Sequence, residues 1–244
     1  MERREVHKGR GAVTNPAGRF EATSSHPVDD GWSFEEEGSA NPATVFFPDA
    51  TRNLIATNRS PDIPFDKSIN SYKGCEHGCI YCFARPTHAF LGLSPGLDFE
   101  TQISYKTDVV ERLRSAFEKP GYQVSPIAMG TNTDPYQPGE KRFEVTRKVL
   151  ETMLEYRHPV TVLTKSALVL RDRDVLQDLA ALGLTSVSLS VTTLDNELKR
   201  KLEPRASSPA ARLRALAEMA ESGIPTGAMA APIIPFINDH ELEA

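Results

Sequence analysis

The stretch Ser71-Tyr-Lys-Gly-Cys75-Glu-His-Gly-Cys79-Ile-Tyr-Cys82-Phe-Ala-Arg85 holds every cysteine of this 244-residue chain. Random placement would bring three cysteines this close together in roughly one chain in a few hundred. An odd number of cysteines at C-x3-C-x2-C spacing does not make a disulfide framework, so the pattern predicts a set of metal ligands. Soft thiolates suit iron–sulfur clusters, and three of them on a short loop can bind three irons of a [4Fe–4S] cube. The fourth iron is then free to bind a small molecule.

Zinc is the alternative metal, with His77 or His88 as the fourth ligand beside the three cysteines. Structural zinc sites usually combine two separated cysteine hooks, and this chain has one. A zinc- or cluster-stabilised chain of this kind would be a nucleic-acid-binding module without catalysis, for which a basic face and stacking aromatic residues are expected. The formal net charge of −5 weakens that interpretation. If the three cysteines bind an iron–sulfur cluster instead, we expect His77 to be solvated or to donate a hydrogen bond close to the cluster ligands.

Composition places the chain among ordinary globular proteins. Hydrophobic residues make up 39% of it and charged residues 25%, which excludes fibrous and wholly disordered classes. Apolar stretches such as 227–236 are interrupted by proline and fall far short of the ~20 residues of a membrane span. No apolar segment follows the charged N-terminus, so no signal peptide is predicted. We therefore expect a cytoplasmic protein that has no membrane partner.

The chain divides into two regions by pattern. Residues 1–60 show no sustained periodicity, which predicts an extended, partly ordered N-terminal arm. The arm would dock through its aromatic residues, which are Phe20, Trp32, Phe34, Phe46 and Phe47. A core domain is expected over residues 61–244.

Strands and helices alternate in the core region. Strands are predicted at 67–72, 99–105, 124–129, 160–164, 185–191 and 225–231. Four amphipathic helices are predicted between them, with apolar stripes that are, in turn, Val109, Val110, Leu113 and Phe117; Phe143, Thr146, Leu150, Met153 and Leu154; Val175, Leu176, Leu179 and Leu182; and Leu213, Leu216 and Ala220. A short helix is expected near 85–91.

This alternation is typical of parallel βαβ units and predicts an α/β fold. Six strands within about 165 residues are too few for a complete eight-fold barrel of ~250 residues, so we expect an incomplete (β/α)6 parallel barrel. An open doubly wound sheet is the competing architecture. The predicted last helix ends after about one turn at residues 241–244, from which an incomplete C-terminal end is expected.

Polar residues cluster where the predicted parallel strands end. They are Thr131, Asn132 and Asp134 after the third strand, Lys165 and Ser166 after the fourth, Ser188 and Ser190 on the fifth, and Glu203 and Arg205 beyond it. Parallel strand ends share one rim, which is where barrel enzymes build their sites. Simpler roles stay open: the two serines of the fifth strand could fill a barrel interior, and Arg205 could pair with Glu203 on a surface loop.

The cysteine motif, with Tyr81 before its last cysteine, resembles the signature of the radical S-adenosylmethionine (radical SAM) superfamily. Other stretches resemble the branch grouped with spore photoproduct lyase and labelled DNA-repair photolyase-like. These stretches are Thr131-Asn-Thr-Asp-Pro-Tyr-Gln-Pro138, Leu163-Thr-Lys-Ser166, Leu202-Glu-Pro-Arg205 and Ala231-Pro-Ile-Ile-Pro-Phe-Ile-Asn-Asp239. The N-terminal Lys8-Gly-Arg-Gly-Ala12 and Gly18-Arg-Phe-Glu21 resemble one poorly characterised family of that branch.

The resemblance implies a radical SAM enzyme. Cys75, Cys79 and Cys82 would hold a [4Fe–4S] cluster whose open iron binds the amino and carboxylate groups of S-adenosylmethionine. One electron, from a donor such as flavodoxin or ferredoxin, would cleave this cofactor to methionine and a 5′-deoxyadenosyl radical that abstracts hydrogen from a substrate. The photolyase-like relationship suggests a nucleic-acid lesion as that substrate.

The resemblance also implies roles outside the cysteine motif. By similarity to spore photoproduct lyase, Lys165 and Ser190 would contact S-adenosylmethionine and Tyr81 would flank its adenine. The lyase uses a further cysteine, outside the cluster motif, to return a hydrogen atom to its product radical. These 244 residues have no fourth cysteine. Tyr136, the cofactor product or a cysteine in a further C-terminal segment would have to take that role.

Overall fold

The computed structural model describes residues 7–20, 42–49, 51 and 53–242. Its strands are β1 (Val45–Pro48), β2 (Ala56–Thr57), β3 (Lys67–Ile69), β4 (Tyr72–Lys73), β5 (Gln102–Tyr105), β6 (Ile127–Met129), β7 (Val160–Thr164), β8 (Thr185–Ser190) and β9 (Thr226–Met229). The helices are α1 (Asp98–Thr101), α2 (Val109–Phe117), α3 (Glu140–Phe143), α4 (Val145–Glu155), α5 (Arg173–Ala181), α6 (Asn196–Leu202) and α7 (Pro209–Glu221), with 3-10 turns at Arg85–Leu91, Ala167–Asp172 and Asp239–Glu241.

The strands form two sheets. The larger has the order β2-β3-β6-β7-β8-β9. In it β3, β6, β7, β8 and β9 run parallel, and β2 pairs antiparallel with β3. The smaller has the order β1-β5-β4, in which β1 and β5 are parallel and β4 is antiparallel. The α/β class is confirmed. No ladder of hydrogen bonds joins the two sheets in the described residues, so a single six-stranded barrel stays a prediction.

The strands predicted at 124–129 and 225–231 are shorter in the structure, at Ile127–Met129 and Thr226–Met229, and two other predicted strands are interrupted. The segment 67–72 splits into β3 and β4, which belong to different sheets. At the break, the buried Ser71 hydroxyl hydrogen-bonds Thr146 at 3.0 Å. The segment 99–105 begins as α1 and becomes β5 only at Gln102. Strand β1 was not predicted, because its partner lies more than fifty residues away and its own sequence has no strong alternation.

The predicted helices are present, and their apolar faces cover the core. Helices α2 and α4 pack on each other, α4 packs on α5, and α7 packs on β8 and β9. Helix α7 starts as expected, since the Ser208 hydroxyl accepts a hydrogen bond from the Ala211 amide ahead of a favourable first-turn proline. In the described residues, no helix is both long and apolar enough to cross a membrane.

The buried face of α7 differs from the predicted one. Arg212, Ala215 and Met219 are buried, whereas Leu213 is 44% exposed. The helix is rich in alanine and leucine, so its apolar residues do not strongly favour one face for packing on the core. The Arg212 guanidinium decides its orientation by binding the Ser190 carbonyl at 2.7 Å and the Glu203 carboxylate.

The predicted N-terminal arm is described in part. Trp32 and Phe34 lie outside the described residues. Phe46 and Phe47 belong to β1, and the Phe46 ring lies 5.0 Å from that of Phe143. The Phe20 ring lies 5.2 Å from that of Phe90, and both rings are largely exposed. The division at residue 60 stays a prediction.

Candidate metal and cofactor site

A cavity of about 310 Å³ opens where the parallel strands end. Its walls come from the cysteine loop, from the last residues of β7, β8 and β9, and from the segments that follow β6, β7 and β9. The lining residues are Cys75, His77, Cys79, Tyr81, Cys82, Phe83, Gly130, Thr131, Asn132, Thr133, Asp134, Leu163, Thr164, Lys165, Ser190, Met229, Ala231 and Pro232. This volume is at the lower end of the range for small-molecule sites, about 300–1,000 Å³. All six residues predicted as metal or cofactor contacts thus line one cavity.

Glycines shape the cysteine loop. Gly74 and Gly78 each precede a cysteine and have φ values of +81° and +68°, in the left-handed region that favours glycine. A Cβ on Gly74 would lie 2.8 Å from the Ile103 side chain, so the loop also needs glycine there for space. These two turns let Cys75 and Cys79 reach the same cavity.

The three cysteines are free thiols. Cys75 and Cys79 are buried and Cys82 is partly exposed. Burial, followed by the nearby Asp134 carboxylate, raises the pKa of Cys75 well above its usual range. Burial and the Glu203 carboxylate raise the pKa of Cys79 to about 12 against the opposing effect of Lys165. In the metal-free chain the Cys75 and Cys79 thiols are therefore neutral at pH 7, and metal binding must release their protons.

The donor chemistry of the loop fits a cluster. Three soft sulfur ligands converge on one small cavity, without a disulfide among them. In the part of the chain that the structure describes, no three His, Cys, Asp or Glu side chains are arranged around a single metal ion. The zinc alternative also needs a histidine. His77 lines the cavity and is buried rather than solvated. His88 is engaged elsewhere: its Nε2 lies 3.0 Å from the Gln102 carbonyl and its ring packs edge-on against Phe99.

Asp134 connects the cysteine loop to the ends of β6 and β7. Its carboxylate accepts hydrogen bonds from the Thr164 hydroxyl at 2.6 Å, the Lys165 amide at 2.7 Å and the Tyr136 amide at 2.8 Å. His77 Nδ1 lies 3.3 Å from the second carboxylate oxygen. Burial would raise the pKa of Asp134, but His77 and these hydrogen bonds lower it to about 2. Asp134 therefore positions the backbone of Lys165 rather than offering a free carboxylate to a ligand.

Lys165, Ser190 and Tyr81 meet around Glu203. The Lys165 ammonium donates to the Ser190 hydroxyl at 2.6 Å and lies 3.3 Å from Glu203 Oε1. The Tyr81 hydroxyl donates to the same carboxylate and contacts Thr192 at 3.1 Å. An ammonium has three donors, so these contacts leave one for a ligand.

Glu203 is fully buried and remains charged. Burial alone would raise its pKa, but Lys165 and Arg212 lower it to about 2. Its second oxygen accepts a hydrogen bond from Arg212, which is 1% exposed. The Thr192 hydroxyl adds a hydrogen bond of 2.7 Å. A buried charge with this many partners fixes the geometry around it.

Some predicted residues are placed elsewhere. Thr131 and Asn132 line the cavity, whereas Ser166 caps the turn that follows β7 and Ser188 lies outside the lining. The pairing of Arg205 with Glu203 on a surface loop was wrong, because Arg205 pairs with Glu76 at 3.1 Å.

Tyr136 does not lie in the cavity. It is fully buried, and its hydroxyl donates to Asp172 at 3.0 Å. The suggestion that it returns a hydrogen atom to a product radical therefore has no support, because a donor must reach the reacting atom.

Sequence reasoning missed Arg212, Phe83 and the burial of Glu203. Helix α7 carries two arginines, Arg212 and Arg214, and nothing in the local sequence separates the buried Arg212 from the exposed Arg214. Phe83 is 77% exposed although it lines the cavity, so it forms an apolar part of the opening.

Comparison with known proteins places this site in a family. The profile of the Radical SAM superfamily matches residues 69–244. An uncharacterized protein of Mycobacterium tuberculosis is 37% identical over 187 residues, which cover 75% of this chain and 55% of that protein. An uncharacterized protein of Methanocaldococcus jannaschii is 31% identical over 173 residues, which cover 71% of this chain and 62% of that protein. The chain thus spans a little over half the length of the curated relatives it matches.

A solved structure shares the fold. Spore photoproduct lyase complexed with dinucleoside spore photoproduct superposes with a TM-score of 0.57 at 18% identity, over 79% of this chain and 52% of that one. At this identity the superposition shows the fold alone. The superfamily profile, in contrast, includes the cysteine loop and every strand end that lines the cavity. The chain therefore belongs to the radical SAM superfamily.

Proposed function

We propose that this protein is a radical SAM enzyme in which Cys75, Cys79 and Cys82 hold a [4Fe–4S] cluster. The single observation that carries the proposal is the cavity that these cysteines share with Tyr81, Lys165 and Ser190. When bound, the cluster would supply the electron that cleaves S-adenosylmethionine and so generates a radical able to abstract hydrogen from a substrate.

The other cavity residues would bind and orient S-adenosylmethionine. The remaining donor of Lys165 suits the carboxylate of an amino acid, and the Ser190 hydroxyl beside it can share that contact. The Tyr81 hydroxyl is held by Glu203 and Thr192, so its ring is a fixed wall against which a planar base can pack. The Lys165 ammonium lies 5.7 Å from the centre of this ring.

Anaerobic reconstitution followed by metal analysis tests the cluster. We expect about four irons with acid-labile sulfide per chain, as for a [4Fe–4S] centre. One zinc per chain would instead support the nucleic-acid-binding module. The triple variant Cys75→Ala, Cys79→Ala, Cys82→Ala should bind no cluster, and retention of four irons by it would contradict the assignment.

Cofactor cleavage tests the activity. The reduced, reconstituted protein should convert S-adenosylmethionine to 5′-deoxyadenosine and methionine, whereas the triple cysteine variant should not. Dithionite serves as a chemical reductant, and flavodoxin or ferredoxin is the proposed physiological donor. Absence of 5′-deoxyadenosine from a protein with a full cluster would argue against a radical SAM enzyme.

The proposed substrate is a nucleic-acid lesion. The support is the fold shared with spore photoproduct lyase, a protein solved with a dinucleoside spore photoproduct bound. Deoxyadenosine formation that rises when damaged DNA is added, and not when undamaged DNA is added, would support this substrate class. The cytoplasm is the proposed compartment.

A further inference from the structure

The N-terminal segment, residues 7–20, packs beside the cysteine loop and along residues 94–100. The Leu97 amide donates to the Thr14 carbonyl at 3.2 Å, and the Ser94 hydroxyl donates to the Pro16 carbonyl at 2.7 Å. Asn15 and Asp98 are joined by a pair of hydrogen bonds at 2.8 and 2.9 Å. This segment contains the Lys8-Gly-Arg-Gly-Ala12 motif, to which the proposed function assigns no role.

Glu100 is the centre of these contacts. Its carboxylate is fully buried and accepts hydrogen bonds from the backbone amides of Gly11 at 2.9 Å and Ala12 at 2.8 Å. Arg10 donates to the Glu100 carbonyl at 2.8 Å. Three consecutive residues of the N-terminal segment therefore bind one glutamate, and each contact is charge-assisted, either by the Arg10 guanidinium or by the Glu100 carboxylate.

The same carboxylate holds Arg85. The Arg85 guanidinium lies 2.5 Å from Glu100 Oε1 and donates to the Cys79 carbonyl from Nε at 3.2 Å and from Nη2 at 3.0 Å. The Arg85 Nη1 nitrogen donates to the Gly96 carbonyl at 3.1 Å. A continuous set of hydrogen bonds thus leads from the N-terminal segment to the backbone of a cysteine ligand.

Close backbone packing supports the same connection. A Cβ on Gly11 would lie only 1.9 Å from the Gly78 carbonyl oxygen, so glycine is required at position 11. A Cβ on Gly78 would lie 2.8 Å from the Glu100 carboxylate. The N-terminal segment and the cysteine loop therefore touch through glycines on both sides, immediately before Cys79.

We infer that the N-terminal segment is a working part of the cluster site. By binding Glu100, residues 10–12 hold Arg85 on the Cys79 carbonyl and so set the conformation of the loop and the charge around it. Hydrogen bonds to the ligands of a metal centre, and charges next to those ligands, tune both its metal affinity and its reduction potential. Arg10, Gly11 and Ala12 are thus positioning residues, and the effect on the cluster rests on the proposed function.

The first test uses the metal-free full chain. We would measure the rate at which iodoacetamide alkylates Cys79 in the variants Arg10→Ala, Arg10→Lys and Gly11→Ala. Loss of hydrogen bonds to a charged group should speed the reaction by about tenfold to a hundredfold, and Arg10→Lys should fall between wild type and Arg10→Ala. Lys8→Ala is the matched control, because Lys8 is exposed and its loss removes the same charge. Near-ultraviolet circular dichroism checks that each variant folds.

The second test uses the reconstituted protein. Because Arg85 stabilises the more negative, reduced cluster, the midpoint potential should be lower in Gly11→Ala, which changes no charge, than in wild type and Lys8→Ala. Its cluster should also be lost faster in air. Wild-type alkylation rates in every folded variant would overturn the inference. Unchanged potential and air stability would also overturn it, whereas failure of wild type itself to bind a cluster would count against the proposed function only.

Discussion

Replacing Glu203 should reveal a buried charge on which the cavity depends. The Glu203 carboxylate is fully buried between Lys165, at 3.3 Å, and Arg212, which is 1% exposed. Lowering its pKa from 4.5 to about 2 corresponds to roughly 3 kcal/mol of folding free energy. Independently, breaking a buried ion pair costs about 3–5 kcal/mol, because the remaining charge stays buried without its partner. Both routes predict that Glu203→Gln loses roughly 3 kcal/mol at pH 7.

The pH dependence gives a second signature of the same charge. The pKa of Glu203 is lower in the folded chain than in the unfolded chain, so its contribution is fully present above pH 4.5. That contribution is lost as the pH falls towards 2. Between these values the free energy of unfolding of wild type should fall more steeply than that of Glu203→Gln.

Urea unfolding of the metal-free chain, followed by circular dichroism across this pH range, measures both effects. Glu197→Gln is the control, because Glu197 lies exposed on the neighbouring helix α6. Its unfolding free energy should stay within about 0.5 kcal/mol of wild type. A loss below about 1 kcal/mol in Glu203→Gln at pH 7, or the same pH slope as wild type, would refute the charged, buried assignment.

Three further predictions follow from the cavity. Lys165→Ala should weaken S-adenosylmethionine binding by roughly 1.5–3 kcal/mol in calorimetry while the iron content stays at the wild-type value; the exposed Lys141→Ala is the control, and unchanged affinity would remove Lys165 from the cofactor site. Gly130→Ala should cost more than about 3 kcal/mol of stability, because its Cβ would lie 1.9 Å from the Leu163 carbonyl oxygen. Gly121→Ala has a similar positive φ but open space, so about 1–2 kcal/mol is expected there, and equal losses would contradict the packing argument. These 244 residues, once reconstituted, should not repair a dinucleoside spore photoproduct by a cysteine-dependent route, because they contain no cysteine beyond the three assigned to iron; conversion to two thymines at the rate of the lyase, run alongside, would disprove this.

The cysteine motif and the α/β class could be recognised from local sequence. Cysteine spacing depends on neighbours a few residues apart, and apolar stripes predicted the helices after β5, β6 and β7. Of the expected capping residues, Ser208 caps its helix, whereas the Asp172 side chain makes no capping hydrogen bond at the start of α5. The same local signals identified the ends of the parallel strands as the rim of a site. The resemblance suggested Lys165 and Ser190 as cofactor contacts; the structure brings Lys165 Nζ within 2.6 Å of Ser190 Oγ, although 25 positions separate the two residues.

Other features depended on contacts between distant residues, which leave no periodic signal. Strand β1 forms because it pairs with β5, and the break in 67–72 places β3 and β4 in separate sheets. The α7 face was mispredicted because one ion pair, Arg212 with Glu203, outweighed a weak apolar pattern.

The sequence by itself determined the three-cysteine motif, the α/β class and the strand ends at which the cavity lies, because these follow from spacing and periodicity. Only the tertiary structure decided that Glu203 is buried between two cations and that Tyr136 lies outside the cavity. Only the tertiary structure also brought the glycine-rich N-terminal motif against the cysteine loop, where the Gly11 and Ala12 amides bind the Glu100 carboxylate. The physical reason is that burial and ion pairing depend on which distant segments share a low-dielectric interior, and that arrangement exists only once the chain has folded.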